Sequence, residues 1–360
     1  MRSVNLTGRA LVSAIAVAML AVACGSTPTG PGGVDTGSGA LTGAGATFPA
    51  PFYSKAFFAY TQKYPAVTIN YQAVGSGGGI QQFIKNTVDF GASDVPMAAA
   101  DITSAGGAET LTQIPTTLGV ISIAYNLSGV NKLQLDGDTL AGIFLGHIKK
   151  WSDPALVALN SGVTLPNSAI TVVHRSDGSG TTYHFTDYLG KVSPEWKTAV
   201  GTSKSVRWPV GVGASGNQAV AQGITSTDGA VGYVELAYVL QANMHQAYLK
   251  NANDKFVQAS VAGATAAAAA NTSVSPTNFS ITNEPGDATY PIAGFSWVIL
   301  RTSYSEAAKG RAVAYLFKWL VTDGQSYGTS LQYALLPSAV QQLALTNLML
   351  IKAGGAAVLS

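Results

Sequence analysis

The chain is 360 residues long, with 20 basic and 18 acidic residues, 40 glycines and one cysteine, and 47% of it is hydrophobic. That length accommodates two domains, each with its own core. Arg2 and Arg9 are the only charged side chains before residue 25, so the remaining body is electrically balanced. Balance argues against a nucleic-acid partner, which needs a basic surface, and the lone cysteine has no disulfide mate.

Arg2 and Arg9 precede an apolar run, Ala10 to Ala23, shorter than the roughly 20 residues a transmembrane helix needs. A charged start, a short apolar core and small residues before the cut describe a secretory signal peptide over residues 1–23. Ala21-Val22-Ala23-Cys24 resembles a bacterial lipobox, although leucine stands four positions before the cysteine, at Leu20. The alternative is a plain signal peptide with an incidental cysteine. We expect Cys24 to be lipidated and to anchor the protein to the outer face of the cell membrane. Residues 25–40 are almost all Gly, Ser, Thr or Pro. Such a stretch buries too little to offset its ordering entropy, so residues 24–40 are expected to form a flexible tether.

Beyond it, period-two and helical stretches alternate, which predicts an α/β architecture. Gly43-Ala44-Gly45-Ala46-Thr47-Phe48 leads into a helix expected to open near Pro51. Val67 to Val74 alternates as a strand does; Gly75-Ser76-Gly77-Gly78-Gly79 follows, and Ile80, Phe83 and Ile84 fall at helical spacing. Ala169 to Val173 is a β-branched strand candidate, followed by Asp177-Gly178-Ser179-Gly180 and by Phe185, Tyr188 and Leu189 at helical spacing. Residues 259–282 read as a surface helix and loop. Three junctions thus place glycine with Ser or Thr before a helix. A helix N-terminus offers unpaired N–H groups and partial positive charge, glycine permits close approach, and a hydroxyl adds a donor. Each junction alone reads better as an N-cap in a tight turn, and it is three in one chain, one of them beside an arginine, that shift the balance toward an anion.

Arg175 stands at the end of the Ala169–Val173 strand candidate, where open α/β sheets bind ligands. Its planar fork matches phosphate bidentately. Asp177 is placed to hold that fork from behind, with Ser179, Gly180 and Thr181 supplying hydroxyls and backbone N–H groups. The segment by itself is equally a surface arginine beside a capping aspartate. Asp94, in Asp89-Phe90-Gly91-Ala92-Ser93-Asp94, would be unwelcome beside an anion unless that anion carries a proton. Phosphate does near neutral pH, whereas sulfate would meet a buried like charge. Unpaired buried polar groups support discrimination of roughly 10⁴ or more.

The sequence resembles the periplasmic phosphate-binding proteins of high-affinity phosphate ABC transporters. The matching stretches are residues 41–51, 86–94 and 175–181, Gly142 to Gly146 with Ile148 to Trp151, Gly229 to Glu235, and Tyr290-Pro291-Ile292. The resemblance implies phosphate ligands at Thr47, Phe48 (its backbone N–H), Ser76, Asp94, Arg175, Ser179, Gly180 and Thr181, with Asp177 in support. Gly77-Gly78-Gly79 stands where many relatives have a second serine.

It also implies a two-lobed type II periplasmic-binding-protein fold with the ligand in the cleft. One lobe would comprise 41–116 plus 290–360 and the other 117–289, with crossings near 115–118 and 288–291. The expected role is extracytoplasmic capture of inorganic phosphate for an ABC importer, by a monomer that needs no cofactor or metal, has no catalytic residue and is not an enzyme. Its partners would be phosphate and the permease subunits.

Other readings fit less well. Gly211-Val212-Gly213-Ala214-Ser215-Gly216 matches the dinucleotide fingerprint, with Glu235 at the expected remove, but Pro209 interrupts the strand before it. His147, His174, His184 and His245 show no metal-ligand spacing. A phosphatase would need a base for Ser179, and no nucleophile elbow or P-loop lysine motif occurs. A binder of sulfate or molybdate is opposed by Asp94.

Overall fold

One long strand, Leu111–Tyr125, organises the molecule in the computed structural model, which describes residues 34–359. All of its residues are buried. Buried on both faces, it mixes apolar residues with buried Thr, Ser and Gln side chains and does not alternate apolar with exposed polar positions. Its first part, to Val120, pairs antiparallel with Ala293–Arg301, which continues to Phe90–Ser93, Gly39–Gly45 and Val67–Ala73. Its last part, Ile121 to Tyr125, pairs with Ala230–Glu235, which continues to Thr171–Arg175 and Val212–Ala214. Two α/β lobes therefore share one strand, and Ile121 N donates to Ile292 O where the partners change (2.8 Å).

Pro115 cannot donate to the ladder, and the register slips between Ser296 and Trp297 opposite Pro115 and Thr117. Proline inside a sheet is expected at such a bulge.

Helices cover the sheets. Ala50–Lys63 has proline in its first turn and buries Phe52, Tyr53, Ala56, Phe57 and Tyr60. Ser76–Ile84 buries Ile80 and Phe83, and Gly180–Val192 buries Phe185, Tyr188 and Leu189, the spacings read from sequence. The helix expected within residues 259–282 is Val261–Ala270, with Ala264, Ala267 and Ala268 buried.

The signal peptide, Cys24 and the first part of the expected tether lie outside the described residues. Residues 34–40, also expected as tether, pack on the body. Asp35 pairs with Arg311 at 3.0 Å, Ser38 N donates to Ala308 O, and a strand already begins at Gly39. Among the described residues no helix is long and apolar enough to cross a membrane.

Each lobe has an aromatic centre. Tyr53 stacks on Phe57 in one (5.0 Å), and Phe185 stacks on Tyr233 in the other (4.3 Å) beside Phe144 and Trp208. Phe185→Ala should cost about 3–5 kcal/mol through the cavity it leaves. Urea unfolding should show a lowered midpoint, and an unchanged one would mean that Phe185 does not support this core.

Candidate anion site

Five loops converge where the two lobes meet, each at the carboxyl end of a parallel strand. Gly45 leads to Thr47 and Phe48, Ala73 to Ser76, Ser93 to Asp94, Arg175 to Ser179 and Thr181, and Ala214 to Gly216 and Asn217. Helices of nine, 13 and ten residues begin at Ser76, Gly180 and Gly216 and point their N-termini at this junction. Gly75 has φ +87°, and a Cβ there would run into the Asp177 carboxylate. Glycine is required on both counts.

All the side chains singled out from sequence arrive in this place. Ser76 Oγ accepts from Asp94 N (3.2 Å) and from Gly180 N (3.1 Å), so it links the lobes. Arg175 Nε donates to Asp177 Oδ1 (2.7 Å), its Nη2 donates to Asp177 Oδ2, and its Nη1 reaches Thr181 Oγ1 at 3.3 Å. The fork thus rests on Asp177, which also accepts from Gly216 N (3.0 Å). Ser179 faces its own helix as an N-cap, accepting from Thr182 N at 3.0 Å. Phe48 is buried, and its carbonyl accepts from Tyr333 Oη (2.6 Å).

Several members of the site had no signal in the local sequence. Asn217 donates its Nδ2 to Thr47 Oγ1 (3.0 Å) and to Thr181 Oγ1 (3.2 Å), and so joins one lobe to the other. It follows the Gly211–Gly216 run. That run holds the strand Val212–Ala214 and ends as a helix start bonded to Asp177, which explains its glycines without a nucleotide. Ser296, at the bulge, donates to Asp94 Oδ1. Tyr233 Oη accepts from Arg175 N (3.0 Å), and Tyr238 donates to Thr47 O (2.6 Å). His184, buried, sets Nε2 3.0 Å from Asp94 O. Burial lowers its pKa, which keeps the ring neutral.

Charge is scarce at the site: one guanidinium and two carboxylates. Burial pushes Asp94 up to about 7, against the hydrogen bond from Ser296, the charge of Arg175 and the hydrogen bond from Ser76. Burial also acts on Asp177, but the Arg175 hydrogen bonds and charge outweigh it and hold that carboxyl below its usual range. A convergent set of donors around one arginine, with a carboxyl that titrates near neutrality, suits an oxyanion that brings its own proton.

Known proteins bear on this geometry. The sequence matches the PBP superfamily domain over residues 30–323. It is 43% identical over 321 residues to the phosphate-binding protein PstS of Xylella fastidiosa (strain 9a5c), covering 87% of this chain and 86% of that protein. With PstS of Pasteurella multocida (strain Pm70) the identity is 44% over 306 residues, covering 84% and 88%. In structure it resembles the phosphate-binding protein of Stenotrophomonas maltophilia, at TM-score 0.66 and 21% identity over 86% of this chain and 94% of that one. That last likeness speaks for the fold alone.

Gly180 sits against Asp94 across the lobe junction, and a Cβ built on it would overlap the Asp94 side chain. Its φ is not positive, so its own lobe tolerates alanine. Gly180→Ala should therefore block closure and lose anion binding while circular dichroism and the ligand-free melting temperature stay unchanged. Retained binding would show that the lobes need not approach this closely.

Proposed function

Because this chain belongs to the PBP superfamily and, within it, to the PstS phosphate-binding proteins, we propose that its lobe junction is a closing cleft for inorganic phosphate lined by the residues above. It is a solute-binding protein and not an enzyme, and it serves phosphate uptake through an ABC importer from outside the cytoplasm. Thr47, the Phe48 N–H, Ser76 and Asp94 act from one lobe, and Arg175, Ser179, Gly180 and Thr181 from the other, with Asp177 steadying Arg175. Asn217 joins them as a donor already directed at Thr47 and Thr181. We divide the lobes where Leu111–Tyr125 changes partners, at Val120–Ile121, and where Ala293–Arg301 begins, at Ile292–Ala293, a few residues beyond 115–118 and 288–291.

The observation that carries this reading is a buried carboxyl, Asp94, inside a set of anion donors. Phosphate and sulfate have the same tetrahedral shape, so donors alone cannot separate them. Asp94 as carboxylate accepts a hydrogen bond from a protonated phosphate oxygen. Equally, a protonated Asp94 donates to the phosphate dianion, because the shared proton is the same. Sulfate lacks that proton and binds only when Asp94 has taken one up.

The sign follows. With Asp94 titrating near 7, sulfate should bind most weakly at pH 8, where only about a tenth of Asp94 is protonated, and gain affinity as the pH falls through 7. Phosphate should bind throughout. Calorimetric titration of the protein with each anion from pH 5 to 8 measures both. Micromolar or tighter phosphate binding, about −8 kcal/mol or better, is expected. At pH 8, about one unit above the Asp94 pKa, sulfate should be weaker than phosphate by at least roughly tenfold. Arg175→Ala should abolish detectable phosphate binding without unfolding the protein. Equal affinity for the two anions at pH 8 would overturn the role of Asp94, and micromolar binding by the arginine variant would place Arg175 outside the site.

The anchor rests on Cys24 and the lipobox-like residues before it. We propose that the protein works as a membrane-tethered monomer that docks in its closed form on permease subunits. Cys24→Ala should move it from the membrane fraction to the soluble one, and unchanged fractionation would exclude lipid as the tether.

A further inference from the structure

Glu235 is a fully buried acid next to the cleft that the binding chemistry does not use. It ends the strand Ala230–Glu235, and Tyr333 faces it from a segment bonded to the other lobe, where Ala334 N donates to Leu118 O (2.9 Å). Tyr333 Oη lies 2.6 Å from Phe48 O and 3.0 Å from Glu235 Oε2. A phenol carries one hydrogen, and a backbone carbonyl can only accept. The tyrosine's hydrogen serves Phe48 O at the shorter distance. The contact with Glu235 is then a hydrogen bond only if the carboxyl supplies the hydrogen.

The rest of the environment agrees. Glu235 Oε2 accepts from Ala237 N (3.0 Å), and Oε1 has no partner. An ionised carboxylate would leave one charged oxygen bare in a dry site, which is far costlier than a bare neutral carbonyl oxygen. The titratable groups that face it are Asp94, Tyr238 and Tyr333. None is a cation, and Arg175 is turned to Asp177 and Thr181. The Tyr238 hydroxyl is already given to Thr47 O. Asn217 of the neighbouring helix offers an oxygen, which accepts from Glu235 N (3.1 Å). Burial raises the Glu235 pKa well above 4.5, and the Asp94 charge acts in the same direction.

We infer that Glu235 is a positioning residue that works as a proton-dependent latch. As the lobes close on phosphate, its carboxyl takes up a proton and donates it in a hydrogen bond to Tyr333 Oη, which fixes the Phe48 backbone at the anion. The proton comes from solvent and returns to it on opening, and no covalent bond is made or broken. This rests on the phosphate reading given above.

Calorimetry of phosphate binding at pH 7, in buffers of different ionisation heat, counts protons taken up per phosphate for the wild type and for Glu235→Gln. The wild type should take up as much as about one proton more than the variant. Its affinity should also fall more steeply with rising pH, by up to about tenfold per pH unit relative to the variant, between the ordinary carboxyl range and neutrality. Equal proton counts and parallel pH profiles would overturn the latch. An absence of any phosphate heat in the wild type would instead overturn the phosphate reading on which it rests. Carbon-13 NMR of the wild-type complex, labelled at its five glutamates, provides a check that needs no foldable variant. A buried glutamate carboxyl should hold the protonated chemical shift through pH 7, and five carboxylate resonances at that pH would sink the idea.

Discussion

Everything in this protein depends on holding a desolvated anion without spending net positive charge on it. Arg175 is the single cation of the site, and Asp177 already occupies two of its nitrogens. Asp94 adds a second carboxyl at about 1% exposure. Coulomb attraction to a dianion is therefore small, and the holding force has to come from oriented dipoles. In the site we propose, those are the hydroxyls of Thr47, Ser76 and Thr181, the Asn217 amide and three helix N-termini. Hydrogen bonds act only at short range and in definite directions, so half of the set binds weakly. The two lobes have to meet before the site exists.

The fold answers that requirement through its shared strand. Because Leu111–Tyr125 serves both sheets, the loops of each lobe open toward one junction. The bulge opposite Pro115 does a second job, setting Ser296 where it donates to Asp94 from 202 positions away in sequence. Close approach is written in glycine. Gly77 N donates to Gly178 O (2.8 Å), and the Gly180 backbone lies against the Asp94 side chain, so at these two points the absence of a Cβ lets the lobes meet.

What was legible in the sequence follows from range. The strands at residue 67 and near 171, the helices after Ser76 and Ser179, and the Arg175–Thr181 constellation are local patterns of period, capping and turn chemistry. Local physics suffices to read them. Asn217 was hidden because its partners lie 170 and 36 residues away, and the glycines before it imitate a nucleotide loop. Ser296 and Tyr333 carry no motif of their own, Glu235 was legible only within a family stretch and a nucleotide-like fingerprint, and all three acquire their contacts only when distant segments of the chain are brought together. Residues 34–40 misled in the other direction. Their composition is that of a free tether, yet one ion pair with Arg311 and a strand beginning at Gly39 hold them to the body. Composition measures what a segment can bury by itself, and a neighbouring sheet edge supplies the rest.

Selectivity has a cost built into the same constraint. Two anions of one shape differ only in a hydrogen, so the discriminating group must be an acceptor, and it must be dry to exclude water from answering in its place. Drying a carboxyl raises its pKa, and a carboxyl fully neutralised in this way would donate to either anion and discriminate neither. Asp94 is held between these limits. Burial lifts it to about 7, while Ser296, Arg175 and Ser76 keep it from rising further. On the proposed reading of Asp94, the polar residues behind it therefore set the pH range of selectivity, and the anion donors in front of it set affinity. A change at Ser296, which lies behind the carboxyl, should shift the first far more than the second.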